Sequence, residues 1–243
     1  MMGIRFDRRT LRELVAASIE AIDERRQPLV LACANPHSLV IAQRDAEFRG
    51  ALNGSGAVIA DGVGCVWAAR LFGYSIGPRI TGSDYFVALM SVLNERRGRV
   101  YFFGSREAVL RSLRERVRRD FPYVVIESFD PPFGDWSEEQ NDAMLRRIRL
   151  FEPDVLWVGM TAPKQEKWVT RYASALSAIP VIGCIGAVFD YYAGHVRRAP
   201  PWVCRLGLEW LYRLPREPRR LWRRTVISAP RFMWAVMRER LTG

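Results

Sequence analysis

A carboxylate set directly behind a short apolar run is the first feature of this 243-residue chain equipped for chemistry. Asp61 follows Ala57-Val58-Ile59-Ala60 and precedes Gly62. At the carboxyl end of a strand such a group can take the proton of an incoming hydroxyl, a role worth ~10²–10⁴ in rate. An Asx-turn closing the strand would use the same residue, and placement alone leaves both readings open. The segment Thr161-Ala162-Pro163-Lys164-Gln165-Glu166-Lys167 joins another apolar run to a helical pattern. Its backbone N–H groups and Lys164 could hold a diphosphate, because a helix N-terminus attracts anions. An ordinary first helical turn with solvated charges has the same composition, so this too stays open.

Other chemistries lose their markers. Gly62-Val63-Gly64 is a lone GxG, and Trp67 stands where a dinucleotide fingerprint needs its third glycine. No Walker loop and no DxD sequence occurs. A leaving diphosphate would therefore be neutralised by Arg, Lys and backbone donors rather than by a carboxylate-held metal. Cys33, Cys65, Cys184 and Cys204 lie far apart without a CxxC pair, which reads as reduced thiols and no zinc site. His37 and His195 are the only histidines, and isolated histidines belong more often to turns and surfaces than to a catalytic pair. His37 follows Asn35 in a loop of interest. Neither metal nor cofactor is expected.

These residues need elements to hold them. Six continuous apolar runs read as strands: Leu29–Cys33, Ala57–Ala60, Arg99–Phe103, Val124–Ser128, Asp154–Gly159 and Val181–Ile185. Their lack of alternation suits parallel strands covered on both faces. Between them a helical period runs over Ser38–Leu52, Gly64–Leu71, Ser83–Arg96, Glu107–Asp120, Glu138–Phe151 and Gln165–Ser177. The alternation predicts an α/β fold, a Rossmann-like and mostly parallel sheet with helices on both faces. Ligands of such sheets bind at the strand carboxyl ends. The loops there contain Asn35-Pro36-His37, Asp61 to Gly64, Gly104-Ser105, Asp130 to Gly134, Met160 to Gln165, and Gly186 to Asp190.

Composition sets the frame. Hydrophobic residues make up 49% and charged residues 26%, enough for a sizeable core and incompatible with disorder. The longest apolar run, Val181 to Phe189, falls well short of the ~18–20 residues that cross a bilayer. The opening residues carry charge without an apolar stretch behind them, so no secretory signal is expected. The net charge of +11 is concentrated: residues 195–243 hold 12 Arg and 3 Glu, a net of +9. Residues 1–194 read as an α/β catalytic domain, and 195–243 as a basic helical appendage broken by Pro200, Pro201, Pro215, Pro218 and Pro230. Trp202, Trp210, Trp222 and Trp234 interleave with arginine there, and Phe232, Met233, Val236 and Met237 form an apolar stripe. Arginine with tryptophan suits an anionic membrane surface. A nucleic-acid groove would use the same residue types, but no nucleic-acid module is recognisable and none is expected as partner.

Taken in order, these pieces are specific. They are Asn35, Asp61-Gly62, Arg79-Ile80-Thr81-Gly82-Ser83-Asp84, Phe102-Phe103-Gly104, Pro132-Phe133, Pro153-Asp154 leading to Gly159, and Pro163-Lys164-Gln165-Glu166. Gly186, Phe189-Asp190, Arg198-Ala199-Pro200, Leu208 to Leu214 and Glu217 to Arg220 complete the set. Together they resemble the WecG/TagA/CpsF family of bacterial glycosyltransferases (glycosyltransferase family 26). The resemblance implies an inverting enzyme that moves a sugar of the N-acetylmannosamine type from a UDP-sugar to a polyprenyl-diphosphate-linked sugar. The product would serve cell-surface polysaccharide, and UDP-glucose or a UDP-uronic acid is the alternative donor. It implies Asp61 as general base. It also implies a substrate crevice of Asn35, Gly62, Thr81, Gly82, Asp84, Gly104, Pro132, Phe133, Gly159, Lys164, Gln165, Glu166, Gly186 and Asp190. Arg213, Arg220 and Arg223 would contact the lipid diphosphate or the membrane, at the inner face of the cell membrane. Relatives form oligomers, and a homo-oligomer is consistent with the resemblance. One departure bears on the donor: Cys33-Ala34-Asn35 stands where the family often has Thr-x-Asn, and a thiol is a poor hydrogen-bond donor.

Overall fold

A computed structural model describes residues 1–196, 199–200, 203, 212 and 228–242. Its centre is a six-stranded sheet in the order β2-β1-β6-β5-β3-β4. The strands are β1 (Leu29–Ala34), β2 (Ala57–Ala60), β3 (Arg99–Phe103), β4 (Val125–Phe129), β5 (Val155–Val158) and β6 (Val181–Cys184). Every pairing is parallel, with Leu31 opposite Ala57, Leu29 opposite Val181, and Val155 opposite both Val181 and Val100. All six expected strands are present within a residue at either end. β4 alone departs from the expected burial. It is one of the two edge strands, and Val125 is exposed there, whereas β2 at the other edge is buried throughout.

Helices cover both faces. On one lie α1 (Leu11–Glu24), α5 (Gly82–Arg96), α6 (Glu107–Asp120) and α9 (Val188–Tyr192). On the other lie α2 (Pro36–Ala42), α3 (Ala46–Gly54), α4 (Val63–Phe72), α7 (Glu138–Phe151) and α8 (Lys164–Arg171). The C-terminal α10 (Ser228–Thr242) joins this second face. Trp157 of β5 anchors the first core, with Tyr85 edge-on at 5.7 Å and Phe86 at 5.2 Å. Gly183, its partner across β6, leaves the room: a Cβ there would stand 2.3 Å from the Trp157 ring.

Four helices differ from the sequence reading, one of them α9, which begins inside the stretch Gly186 to Asp190 expected as a loop. The single helix expected over Ser38–Leu52 is two, because the Asp45 carboxylate accepts the Phe48 N–H at 3.0 Å and caps a new start. The helix expected to reach Ser177 ends at Arg171, and the chain beyond it closes in turns, with the Ser177 hydroxyl bonded to the Ser174 carbonyl. Helix α1 was not expected at all. Its signal is a capping box, in which Thr10 and Glu13 hold each other's backbone N–H.

Candidate active site

The parallel sheet brings the expected loops to one edge. Asp61 leaves β2 with its N–H donated to the Ala34 carbonyl at 2.9 Å, which ties it to the end of β1. The next residue on β1's side, Asn35, caps α2: its Oδ1 accepts the N–H groups of His37 (3.0 Å) and Ser38 (3.1 Å). Gly62 takes φ of +129°, a conformation side chains resist, and a Cβ there would lie 3.8 Å from the Asn35 Cβ. Gly64 sits tighter still, with room for no Cβ beside Pro36. Asp61, Asn35 and the start of α4 are therefore one local unit.

The neighbouring strands close the crevice. Gly82 opens α5 against the Cys33 thiol, 3.1 Å from where its Cβ would be. Thr81 and Asp84 form a capping box, so their side chains hold the start of α5 and present Gly82. Gly104 and Gly159 meet backbone to backbone, and Phe189 lies over Gly159. Gly186 turns with φ of +53° and gives its N–H to the Gln165 Oε1 at 3.1 Å. Asp190 lies on α9 beyond that turn, its carbonyl accepting the Val196 N–H.

The loop after β4 behaves differently from the rest. Phe133 is fully exposed, and the Pro132 carbonyl accepts the Trp136 indole N–H at 2.6 Å. The Lys164 ammonium bonds the Gly134 carbonyl and lies 3.9 Å over the Trp136 ring. Lys164 thus fastens this loop to the start of α8, an engagement invisible in the local sequence. Arg213, Arg220 and Arg223 lie outside the described residues, as do Trp202, Trp210 and Trp222.

Electrostatics separates the helix ends. α2 and α5 have side-chain caps, whereas no side chain caps α4 at Gly62 or α8 at Pro163. At α8 the Lys164 N–H donates to the Thr161 carbonyl at 2.9 Å, so the remaining first-turn N–H groups of the two helices are the natural partners of an anion. Three thiols near the crevice stay protonated. Burial pushes Cys33, Cys65 and Cys184 up, and the Asp61 charge adds to the first two. Among the described residues no group of three or more His, Cys, Asp or Glu could hold a metal ion.

One contact was missed by the sequence reading. His37 Nδ1 lies 2.8 Å from the hydroxyl of Ser228, which is buried at the start of α10. The crevice loop is thereby tied to the C-terminal helix across 191 residues. No local signal could have paired them. His195 instead meets Ser112 on the surface.

With this geometry in place, comparison with known proteins decides the family. The Glycosyl transferase WecG/TagA/CpsF family matches residues 1–243. The chain belongs to that family. An N-acetylglucosaminyldiphosphoundecaprenol N-acetyl-beta-D-mannosaminyltransferase of Bacillus subtilis (strain 168) is 30% identical over 210 residues, covering 86% of this chain and 79% of the relative. The enzyme of the same name from Bacillus spizizenii (strain ATCC 23059 / NRRL B-14472 / W23) is 31% identical over 209 residues, with the same coverage. That of Staphylococcus aureus (strain MW2) is 25% identical over 242 residues, 99% of this chain and 92% of the relative. The WecG/TagA/CpsF chain described here is accordingly a glycosyltransferase, and the nucleic-acid reading of its basic tail is not favoured. Among its described residues no helix is long and apolar enough to cross a membrane.

Proposed function

We propose that this glycosyltransferase moves N-acetylmannosamine from a UDP-sugar to the N-acetylglucosamine of a polyprenyl diphosphate, on the way to a cell-surface polysaccharide. The observation that carries the reading is the activity named for relatives that align with 86–99% of the chain. In the reaction the acceptor hydroxyl attacks the anomeric carbon from the face opposite UDP, and Asp61 takes its proton. The glycosyl C–O bond breaks, and UDP leaves with the electron pair. The seat of Asp61 at the open end of β2, beside Asn35, supports the base role, since a general base must lie within hydrogen-bond reach of the proton it takes. The uncapped starts of α4 and α8 suit the departing diphosphate, with the arginine-rich tail adding charge.

Residues 195–243 act in this reading as an appendage that holds the enzyme on an anionic bilayer. Two neighbouring helices support it. α10 exposes Met233, Trp234, Met237 and Leu241, with Arg231, Arg238 and Arg240 among them. α4, which begins directly after Asp61 and Gly62, exposes Trp67 and Leu71. Arg240 reaches the end of α4, where a Cβ on Gly73 would lie 3.4 Å from its guanidinium. An apolar row edged by arginine is what an interfacial helix presents to lipid headgroups.

A transfer assay read by mass tests the reading. Full-length protein is mixed with N-acetylglucosaminyl-diphospho-prenol, anionic lipid and a panel of UDP-sugars. One added N-acetylhexosamine on the lipid is the expected product, and Asp61→Asn should lower its rate by ~10² or more. A hexose or uronic acid product would replace the donor. No product from any pair, with folded protein, would overturn the reading. Equal rates for parent and Asp61→Asn would remove the base assignment alone.

A further inference from the structure

The first turn of α8 carries a carboxyl group that the proposed chemistry leaves unexplained. Glu166 is only 2% exposed. Its Oε1 accepts the Gln165 Nε2–H at 2.8 Å, whereas Oε2 has no hydrogen-bond partner among the described residues. Gln165 is just as deeply placed and cannot turn over. Its Oε1 already accepts the Gly186 N–H, so only Nε2 is left to face Glu166. The turn after β6, the Gln165 carboxamide and the Glu166 carboxyl thus form one chain of hydrogen bonds across the crevice floor. A buried carboxylate with a bare oxygen is costly, and the neutral acid is far cheaper to hold there.

Among the described residues the surroundings offer that carboxyl no compensating cation. The titratable groups facing it are the Cys33 thiol on β1 and the Cys184 thiol on β6, both neutral and both sensing its charge. The Cys33 thiol also senses the Asp61 charge. Lys167, the next residue along α8, is engaged with Asp45 at 2.8 Å and Glu47 at 2.9 Å. Burial accordingly lifts the Glu166 carboxyl to about 7, against the opposing pull of the Gln165 N–H.

We propose that Glu166 is a positioning residue that works as the neutral acid, and that binding of a nucleotide diphosphate in the adjoining crevice draws a proton onto it. The inference rests on the UDP-sugar reading above. An anion at the uncapped start of α8 stands near Glu166, and two like charges in a water-poor site disfavour each other. Taking up a proton from solvent removes one of them. The neutral acid still accepts from Gln165 through its carbonyl oxygen, so the carboxamide and the Gly186 turn keep their places.

The test is titration calorimetry with UDP in buffers of different ionisation enthalpy, which counts protons exchanged on binding. At pH 8, where the terminal phosphate of UDP is already ionised, the wild-type chain should take up about half a proton or more per UDP, and at pH 6 the difference in proton count between wild type and Glu166→Gln should be close to none. Glu166→Gln keeps the acceptor for Gln165 and cannot titrate, so the uptake assigned to this site should vanish. In the transfer assay the donor KM of the parent should rise between pH 6 and 8 with kcat little changed. That rise should be absent in Glu166→Gln, while Glu166→Ala, which strips Gln165 of its partner, should raise KM at both pH values. UDP binding to the parent without proton uptake at pH 8 would overturn the inference even where a variant fails to fold. So would undiminished uptake in Glu166→Gln. A parent that binds no UDP would overturn the donor reading itself and this inference with it.

Discussion

At the scale of single residues, burial sets the protonation of the Glu166 carboxyl and of the crevice thiols. Asp61 sits half-buried at a loop start, whereas Glu166 is buried in the first turn of α8 and lifted to about 7 by lost hydration. The sign of the stability effect follows. From an ordinary value of 4.5 up to about 7, the folded chain keeps a proton that the unfolded chain releases. The stability associated with the neutral acid is complete below pH 4.5 and is lost as pH rises through 7. The loss is roughly 3 kcal/mol, at 1.36 kcal/mol per pH unit. Urea titrations of the parent at pH 5 and pH 8 should show that fall, and Glu166→Gln should reduce it. A parent whose midpoint is flat over this window would contradict a buried neutral carboxyl. Cys33 adds a local lesson. Its thiol faces Gly82 in the core, where it packs rather than hydrogen-bonds.

At the scale of elements, α10 is held by a few side chains. Phe232 and Val236 enter the core formed by β1, β2, α2, α3 and α4, alongside Met2 and Ile4. The Met2 N–H bonds Glu239 at 2.6 Å, and Ser228 bonds His37. The expected apolar stripe therefore divides. Phe232 and Val236 face the body, while Met233 and Met237 face outward. Truncating a buried phenylalanine removes roughly 3–5 kcal/mol. Phe232→Ala should consequently release α10 before the sheet loosens. Hydrogen exchange would show faster amides over residues 228–242 with those of β1 and β6 unchanged. Equal protection of α10 in parent and variant would mean that the helix is held by other contacts. Because Ser228 touches the Asn35–His37 loop, undocking would also be felt where substrates meet.

At the scale of the whole molecule, the sheet sets the direction of the chemistry. Its parallel strands place every candidate loop at one edge, and α4 runs from that edge to the face shared with α10. An enzyme acting on a diphosphate embedded in lipid needs its crevice close to the headgroups. Each basic residue near an anionic leaflet contributes ~1 kcal/mol, and apolar side chains add insertion to that attraction. Replacing Trp234 and Met237 together by serine should reduce binding to phosphatidylglycerol vesicles by about tenfold or more, through loss of a few kcal/mol of apolar burial. Cosedimentation would read the change. Undiminished binding would show that α10 does not supply the lipid contact.

The sequence alone determined the sheet, nearly all its strand limits and the loops at the carboxyl ends of its strands. Buried parallel strands must be continuous apolar runs, and glycines and polar residues must follow them. It also determined the family, because ordered motifs over the whole chain are visible without coordinates. Helix breaks were less legible: the capping carboxylate of Asp45 outweighed an uninterrupted helical period. Only the tertiary structure decided the rest. The bond from Lys164 to Gly134, the seat of Ser228 on His37 and the orphaned oxygen of Glu166 join residues that sequence spacing does not relate. Burial and hydrogen-bond satisfaction are properties of the packed whole, and the same carboxyl placed in water would carry no message about function.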